Sequence, residues 1–405
     1  MGLDEVKEWL HYCGRCNSCK FLYRDYRPSC PAFEHFGWET YTASGKVWLA
    51  RDLAGGLYPW SESVVEKVFA CTMCGNCSVQ CQQEISNHHL DVFEALREEA
   101  VERGVGPMPA HLAFKDHVNA THNPYGEPHE GRFGQIPGRF FRPGARVAYF
   151  VGCTAAYRDF PLAAATVALL FKLGEDFTLV PDEWCCGSPL LTTGQRGAAR
   201  ELATHNVEAI SRLGVERVVA SCAGCFRTLK FQYEKKFGLE LPFEVVHVTQ
   251  HLTDRGALKR LKGLLRSAPR SPPLRVTYHD PCHLGRQGGV YDAPRKLLAA
   301  LPGVELVEMG RTGENAWCCG AGAGVKSQFG EWALETGAER VAEAAEVPGV
   351  DALVTACPFC ERNLSDAAAS DKFRGADPPR VVDVVQLVLE RAFPGTDPVD
   401  LLRGG

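Results

Sequence analysis

Trp184-Cys185-Cys186-Gly187-Ser188-Pro189, "WCCGSP", places two thiols side by side between a tryptophan and a glycine, and Trp317 to Gly322, "WCCGAG", does so again. The surroundings repeat as well. Cys153, Cys185-Cys186, Cys222 and Cys225 form one series; Cys282, Cys318-Cys319, Cys357 and Cys360 form a second. Each is a single cysteine, an adjacent pair and a C-x-x-C, with 31 and 35 residues between the groups in the first series and 35 and 37 in the second. "VAYFVGC" answers "VTYHDPC", "VVASCAGC" answers "ALVTACPFC", and "VVHVTQHL" answers "VVDVVQLVL". This is an internal duplication with a period too long for a solenoid, so it predicts two homologous lobes facing each other.

Apolar, β-branched runs such as "RVVAS" and "DALVTA" precede the cysteines and read as buried parallel strands. "AARELATHNVEAISRLG" and "EWALETGAERVAEAAEV" read as covering helices. Alternation of the two predicts α/β lobes, with the cysteines at the carboxyl ends of strands, where such sheets bind ligands. Adjacent side chains diverge in a strand but converge in a turn, which Gly187 and Gly320 permit and which lets backbone N–H groups approach an anionic cluster. Five thiolates exceed the four a cubane cluster takes. The spacing suits a cluster in which some sulfurs bridge two irons, without proving it.

The other eight of the 18 cysteines lie upstream: Cys13, Cys16, Cys19 and Cys30, then Cys71, Cys74, Cys77 and Cys81. The bacterial ferredoxin run is C-x2-C-x2-C-x3-C-P, with the fourth cysteine serving the other cluster. Cys13, Cys16, Cys19 and Cys81 are therefore assigned to one cubane [4Fe–4S] cluster, and Cys71, Cys74, Cys77 and Cys30 to a second. Two departures stand out: ten residues precede Cys30, and Gln82 replaces the proline expected after Cys81. Helices are predicted from a Thr42 or Ser44 cap to Gly55-Gly56, from Ser61, and from the "NHHLDVF" stretch to Gly104, which makes this half a helical ferredoxin.

The whole is expected to be an α+β multidomain chain. A helical two-cluster ferredoxin domain at 1–104 is followed by a Pro/Gly-rich connection at 105–145. Two homologous α/β lobes follow at 146–270 and 271–395, in pseudo-two-fold arrangement, with a tail at 396–405 that is loose or a docking segment. Net charge −5 gives nucleic acid no reason to bind. "PLAAATVALLF" is too short to span a bilayer and reads as a buried helix. An acidic, amphipathic start places the chain in the cytoplasm, or on the inner face of the membrane through a partner. No flavin, nicotinamide or P-loop fingerprint appears, so such chemistry belongs to a partner.

With both series complete behind a two-cluster half, and with "HDPCHLGRQGGVYDAPRKLL…CCGAGAG" especially close, the chain resembles the heterodisulfide reductase D-subunit family, related to the iron–sulfur subunits of glycolate and lactate oxidases. The resemblance implies that each repeated "CCG" domain binds a noncubane [4Fe–4S] cluster through its five cysteines: Cys153, Cys185, Cys186, Cys222 and Cys225 in one, Cys282, Cys318, Cys319, Cys357 and Cys360 in the other. Zinc in one lobe is the competing occupant. Among disulfide-reducing members such clusters cleave a disulfide in one-electron steps, which makes Cys185, Cys186, Cys318 and Cys319 the catalytic candidates. Two protons are needed as well. His283 is the candidate donor, since histidine titrates near neutrality, although a loop-orienting or cluster-tuning hydrogen bond from His279 or His283 fits "HDPCH" equally. Asp280, Arg286 and Lys326 are weaker candidates of that kind. Trp184 and Trp317 are expected to pack over the clusters and exclude water. His88, His89 and His129 are expected at the surface or at caps. The alternative function is a relay, from a flavoprotein oxidising a 2-hydroxy acid or an electron-transfer flavoprotein to a quinone or membrane cytochrome.

Overall fold

A computed structural model describes residues 2–269 and 271–403. Its two sheets have four strands each. The first comprises β1 (Val147–Phe150), β2 (Phe177–Leu179), β3 (Arg217–Ala220) and β4 (Glu244–His247), in the order β2-β1-β3-β4. The second comprises β5 (Leu274–Tyr278), β6 (Val304–Leu306), β7 (Ala352–Thr355) and β8 (Arg380–Asp383), in the order β6-β5-β7-β8. Every pairing is parallel. A parallel sheet is covered on both faces, which is why β3 and β7 are nearly all Val, Ala and Leu and are buried. The duplication extends to the caps. His247 at the end of β4 and Asp383 at the end of β8 each close a capping box with a glutamine, Gln250 and Gln386, at the start of the next helix.

The amino-terminal half is helical. Thr42 caps Ala43–Ala54 by accepting from Gly45 N, and Ser61 caps Glu62–Phe69 by accepting from Val64 N. His89–Glu102 follows, with Val92, Phe93, Leu96 and Ala100 on its buried face. The ten residues before Cys30 form a side excursion: Phe21 bridges Pro28 in antiparallel fashion, and Ser29 N donates to Lys20 O. The chain thus returns almost to where it left, with Ser29 Oγ donating to Cys19 O at 3.3 Å, and Cys30 comes to lie with Cys71, Cys74 and Cys77.

Two segments are more ordered than their composition implies. The Pro/Gly-rich stretch contains a helix, Pro109–Thr121, with its proline in the first turn, where a missing N–H costs nothing. The tail folds as Pro398–Arg403 and packs on the first lobe's buried helix Phe160–Lys172, with Leu402 fully covered. Gly404 and Gly405 lie outside the described residues. Among those described, no helix is long and apolar enough to cross a membrane.

Candidate iron–sulfur centres and the cavity between the lobes

The two C-x-x-C-x-x-C loops share a backbone. In the first, Arg15 and Asn17 take left-handed conformations; in the second, Met73 and Gly75 do. Left-handed residues two and four places after the first cysteine turn successive N–H groups inward, the form of an anion-binding nest. Arg15 and Met73 adopt it without being glycine, a strain that such a nest explains. Cys13, Cys16, Cys19 and Cys81 line one small cavity. Cys30, Cys71, Cys74 and Cys77 line another, with Cys30 at the head of the helix Pro31–Phe36. Lys46, buried beside the second group, donates to Tyr41 O and Ala70 O and places a cation near Cys71 and Cys30. Nothing in "SGKVW" signals that burial. His89 is a correction to the surface expectation: it is buried beside the first cavity, and burial pushes its pKa down to about 4.

In the lobes, all the cysteines lie beyond the carboxyl ends of the strands. Gly187 (φ 85°) and Gly320 (φ 91°) make the turns after the adjacent pairs. Gly187 N donates to Cys185 Sγ and Gly320 N to Cys318 Sγ, each at 3.4 Å. The adjacent cysteines of each pair therefore do in this fold what a strand forbids: Cys185 meets Cys186, and Cys318 meets Cys319. Asn206 and Asn363 fix these turns by donating to Cys185 O and Cys319 O. Sulfur neighbours sulfur in unbroken chains. In the first lobe Cys153 meets Cys185, Cys185 meets Cys186, and Cys186 and Cys222 meet Cys225. In the second, Cys282 meets Cys318, Cys318 meets Cys319, and Cys319 and Cys357 meet Cys360. None of the 18 cysteines is in a disulfide.

Both sets open on one cavity of about 150 Å³ between the lobes, which nine of the ten cysteines line. The tenth, Cys318, turns away to meet Cys74 of the helical half. Cys222 meets Cys357 across the lobe boundary, and Cys19 adjoins Cys77. The four cysteine groups therefore form a line: Cys13/16/19/81, Cys30/71/74/77, the second lobe, the first lobe. Arg286 braces the middle junction by donating to Cys74 O, Glu314 O and Ala316 O.

The cavity's remaining wall is apolar and hydroxylic. Phe114 and Tyr125 come from the stretch read as a connection, and Tyr125 Oη bonds Thr154 Oγ1 at 2.9 Å. Their role had no sequence signal beyond aromatic content in a Pro/Gly-rich segment. His283 faces the cavity. Burial, with Arg227 nearby, lowers its pKa to about 4, so the ring is uncharged at neutral pH. Asp280 and Lys326 do not line the cavity; Asp280 is held by Arg295 and Gly313 N, and Lys326 by Asn363 and Asp366. Trp317 is buried, its Nε1 donating to Thr336 O with Arg311 over the ring. Trp184 is only half-buried and is sandwiched between His122 and His205 at 3.7 and 3.6 Å. Sequence reasoning missed Arg132, fully buried in the connection, whose Nη2 reaches Cys153 Sγ at 3.6 Å while Nη1 pairs with Glu183 at 2.8 Å.

Nine buried or half-buried thiols lining one space, with a tenth, Cys318, in contact with them and backbone N–H groups aimed at sulfur, fit iron–sulfur clusters by the chemistry of the donor set. Comparison with known proteins agrees. Residues 9–85 match the 4Fe-4S dicluster domain, and residues 147–230 and 276–365 each match the cysteine-rich domain termed CCG. The D-subunit of the dihydromethanophenazine:CoB–CoM heterodisulfide reductase of Methanosarcina acetivorans is 39% identical over 394 residues, 94% of this chain and 93% of the relative. That of Methanosarcina barkeri is 42% identical over 336 residues, 81% and 79% of the two chains. A hypothetical protein from Helicobacter pylori shares the fold, with TM-score 0.59 over 88% of this chain and 69% of that one at 11% identity.

Proposed function

The chain belongs to the heterodisulfide reductase D-subunit family, iron–sulfur subunits of multi-subunit oxidoreductases, and we propose that it reduces a disulfide in the cavity between its two lobes. The observation that carries this reading is that both five-cysteine sets are complete and that nine of the ten cysteines line the same cavity. A relay would need only a line of clusters. A cavity lined by two cysteine sets at the end of that line offers a place for the two halves of a disulfide.

In this proposal Cys13, Cys16, Cys19 and Cys81 hold one cubane cluster, and Cys30, Cys71, Cys74 and Cys77 the other. Cys153, Cys185, Cys186, Cys222 and Cys225, and Cys282, Cys318, Cys319, Cys357 and Cys360, hold noncubane clusters. When bound, the clusters supply electrons singly; a disulfide takes two electrons and two protons and leaves as two thiols. The chain's residues confine the site. Phe114, Tyr125 and Phe359 form apolar wall that excludes water, while Thr154, Ser188 and Thr192 offer hydroxyls. The electrons enter from a partner, a flavoprotein or a membrane cytochrome.

The anaerobic protein is expected to hold about 16 irons, four clusters of four; stoichiometric zinc in one lobe would remove one cluster from that count. EPR of this protein, with and without coenzyme M and coenzyme B as the thiol pair, tests the reaction. A new signal on adding a thiol under oxidising conditions, lost in Cys318→Ser, is the expected result. Signals indifferent to thiols would identify a relay instead.

A further inference from the structure

His279 stands three residues before Cys282, where the first lobe has Phe150 three residues before Cys153. It is 1% exposed. Arg340 Nε donates to His279 Nδ1 at 3.2 Å. A guanidinium has no acceptor site, so Nδ1 is the bare nitrogen and the ring proton sits on Nε2. Arg340 is itself immobilised, fully buried, its Nη1 donating to Glu343 Oε2 and to Arg311 O, each at 2.7 Å.

The Nε2 atom is buried and has no hydrogen-bond partner of the ordinary kind. A ring nitrogen of His279 and the Sγ atoms of Cys319 and Cys360 lie within 4.8 Å of one another. A buried N–H with no acceptor costs about 1–3 kcal/mol. The acceptor on offer is sulfur.

We propose that His279, held in its Nε2-protonated form by Arg340, donates an N–H to cluster sulfur at Cys319 and Cys360 and thereby raises the reduction potential of the second-lobe centre. This rests on the reading that the second-lobe cysteines hold an iron–sulfur cluster. An N–H pointed at sulfur stabilises the extra negative charge of the reduced state, and hydrogen bonds to sulfur are among the levers that set such potentials. The first lobe has hydrocarbon at that position. Its own buried donor, Arg132, addresses Cys153 instead and carries the counter-charge of Glu183. The duplicated lobes are thus electrically unequal, and the tuned one is the lobe that adjoins the helical half through Cys318 and Cys74.

The test is an EPR-monitored redox titration of the anaerobic, iron-loaded protein, the second-lobe signal being the one that disappears in Cys360→Ser. His279→Phe places the first lobe's own residue there; His279→Gln retains an N–H. The expected result is full iron content in both variants. At fixed ambient potential, the reduced-to-oxidised ratio of the second-lobe centre falls about tenfold in His279→Phe, about 59 mV for a one-electron couple. It recovers partly in His279→Gln, and the other centres do not move. An unchanged potential in iron-replete His279→Phe overturns the proposal. So does loss of second-lobe iron from both variants, which would make His279 a ligand or a folding element. If His279→Phe alone loses iron, a His279→Gln potential well below wild type overturns it and one near wild type supports it. A Cys360→Ser protein that loses no signal at all defeats the cluster reading itself, and the proposal with it.

Discussion

At Gly320 a single β-carbon separates a working turn from a blocked one. Its φ is 91°, and a Cβ there would meet Ala333 O at 2.4 Å, in a helix that cannot yield. Gly187, its counterpart in the first lobe, has a similar φ, but a Cβ would meet only ordinary contacts from 3.5 Å. Both alanine variants incur the left-handed penalty of about 1–2 kcal/mol; only Gly320→Ala adds the collision. Iron analysis and thermal melting should show Gly320→Ala losing second-lobe iron and Gly187→Ala retaining first-lobe iron with a modest fall in Tm. His111 gives the pH counterpart. Its Nε2 bonds Gly324 O, and burial lowers its pKa to about 4. Below the unfolded value near 6.5, the unfolded chain takes a proton that the folded chain refuses, so this stability is complete above pH 6.5 and drains away as pH falls toward 4. The decline in Tm between pH 7 and pH 5 should be shallower in His111→Gln than in wild type.

The helix His89–Glu102 shows what an element contributes that its sequence conceals. Its apolar stripe is legible, but Arg97, in a run of charged residues, reads as solvated. In the fold it is fully buried and donates to five carbonyls: Val68, Phe69, Cys71, Thr192 and Ala323. Those acceptors belong to the helical half and to both lobes. Arg97→Met leaves buried acceptors without a donor, and a loss of at least about 3 kcal/mol is expected by denaturant melting. The same contrast governs how far the sequence could be read. Strands, covering helices and caps follow local rules, period and spacing, and they emerge as read. Arg97, Lys46, Arg132 and Arg340 do not, because a buried cation is defined by the distant carbonyls, carboxylates and sulfurs that surround it. Nothing in the composition of 105–145 marks it as a wall of the cavity: Tyr125 acquires its role only when the chain folds back over Thr154.

For the whole molecule, the line of four cysteine groups makes the second lobe the gateway to the first. Cys318 adjoins Cys74, Cys357 adjoins Cys222, and the helical half meets the first lobe's cysteines nowhere among the described contacts. Rapid-freeze EPR on Cys360→Ser should therefore show the centres of the helical half still reduced by an external donor while first-lobe reduction lags far behind wild type. The segment Pro398–Arg403 also joins the lobes. Pro398–Arg403 crosses back from the second lobe to lie on the first lobe's helix Phe160–Lys172, beside Val384–Ala392, and Arg139 ties Leu402 O down. Two helices that follow the second sheet, Val384–Ala392 and Pro398–Arg403, thus fasten onto one helix of the first lobe, as a latch of two fingers closes on a single bar.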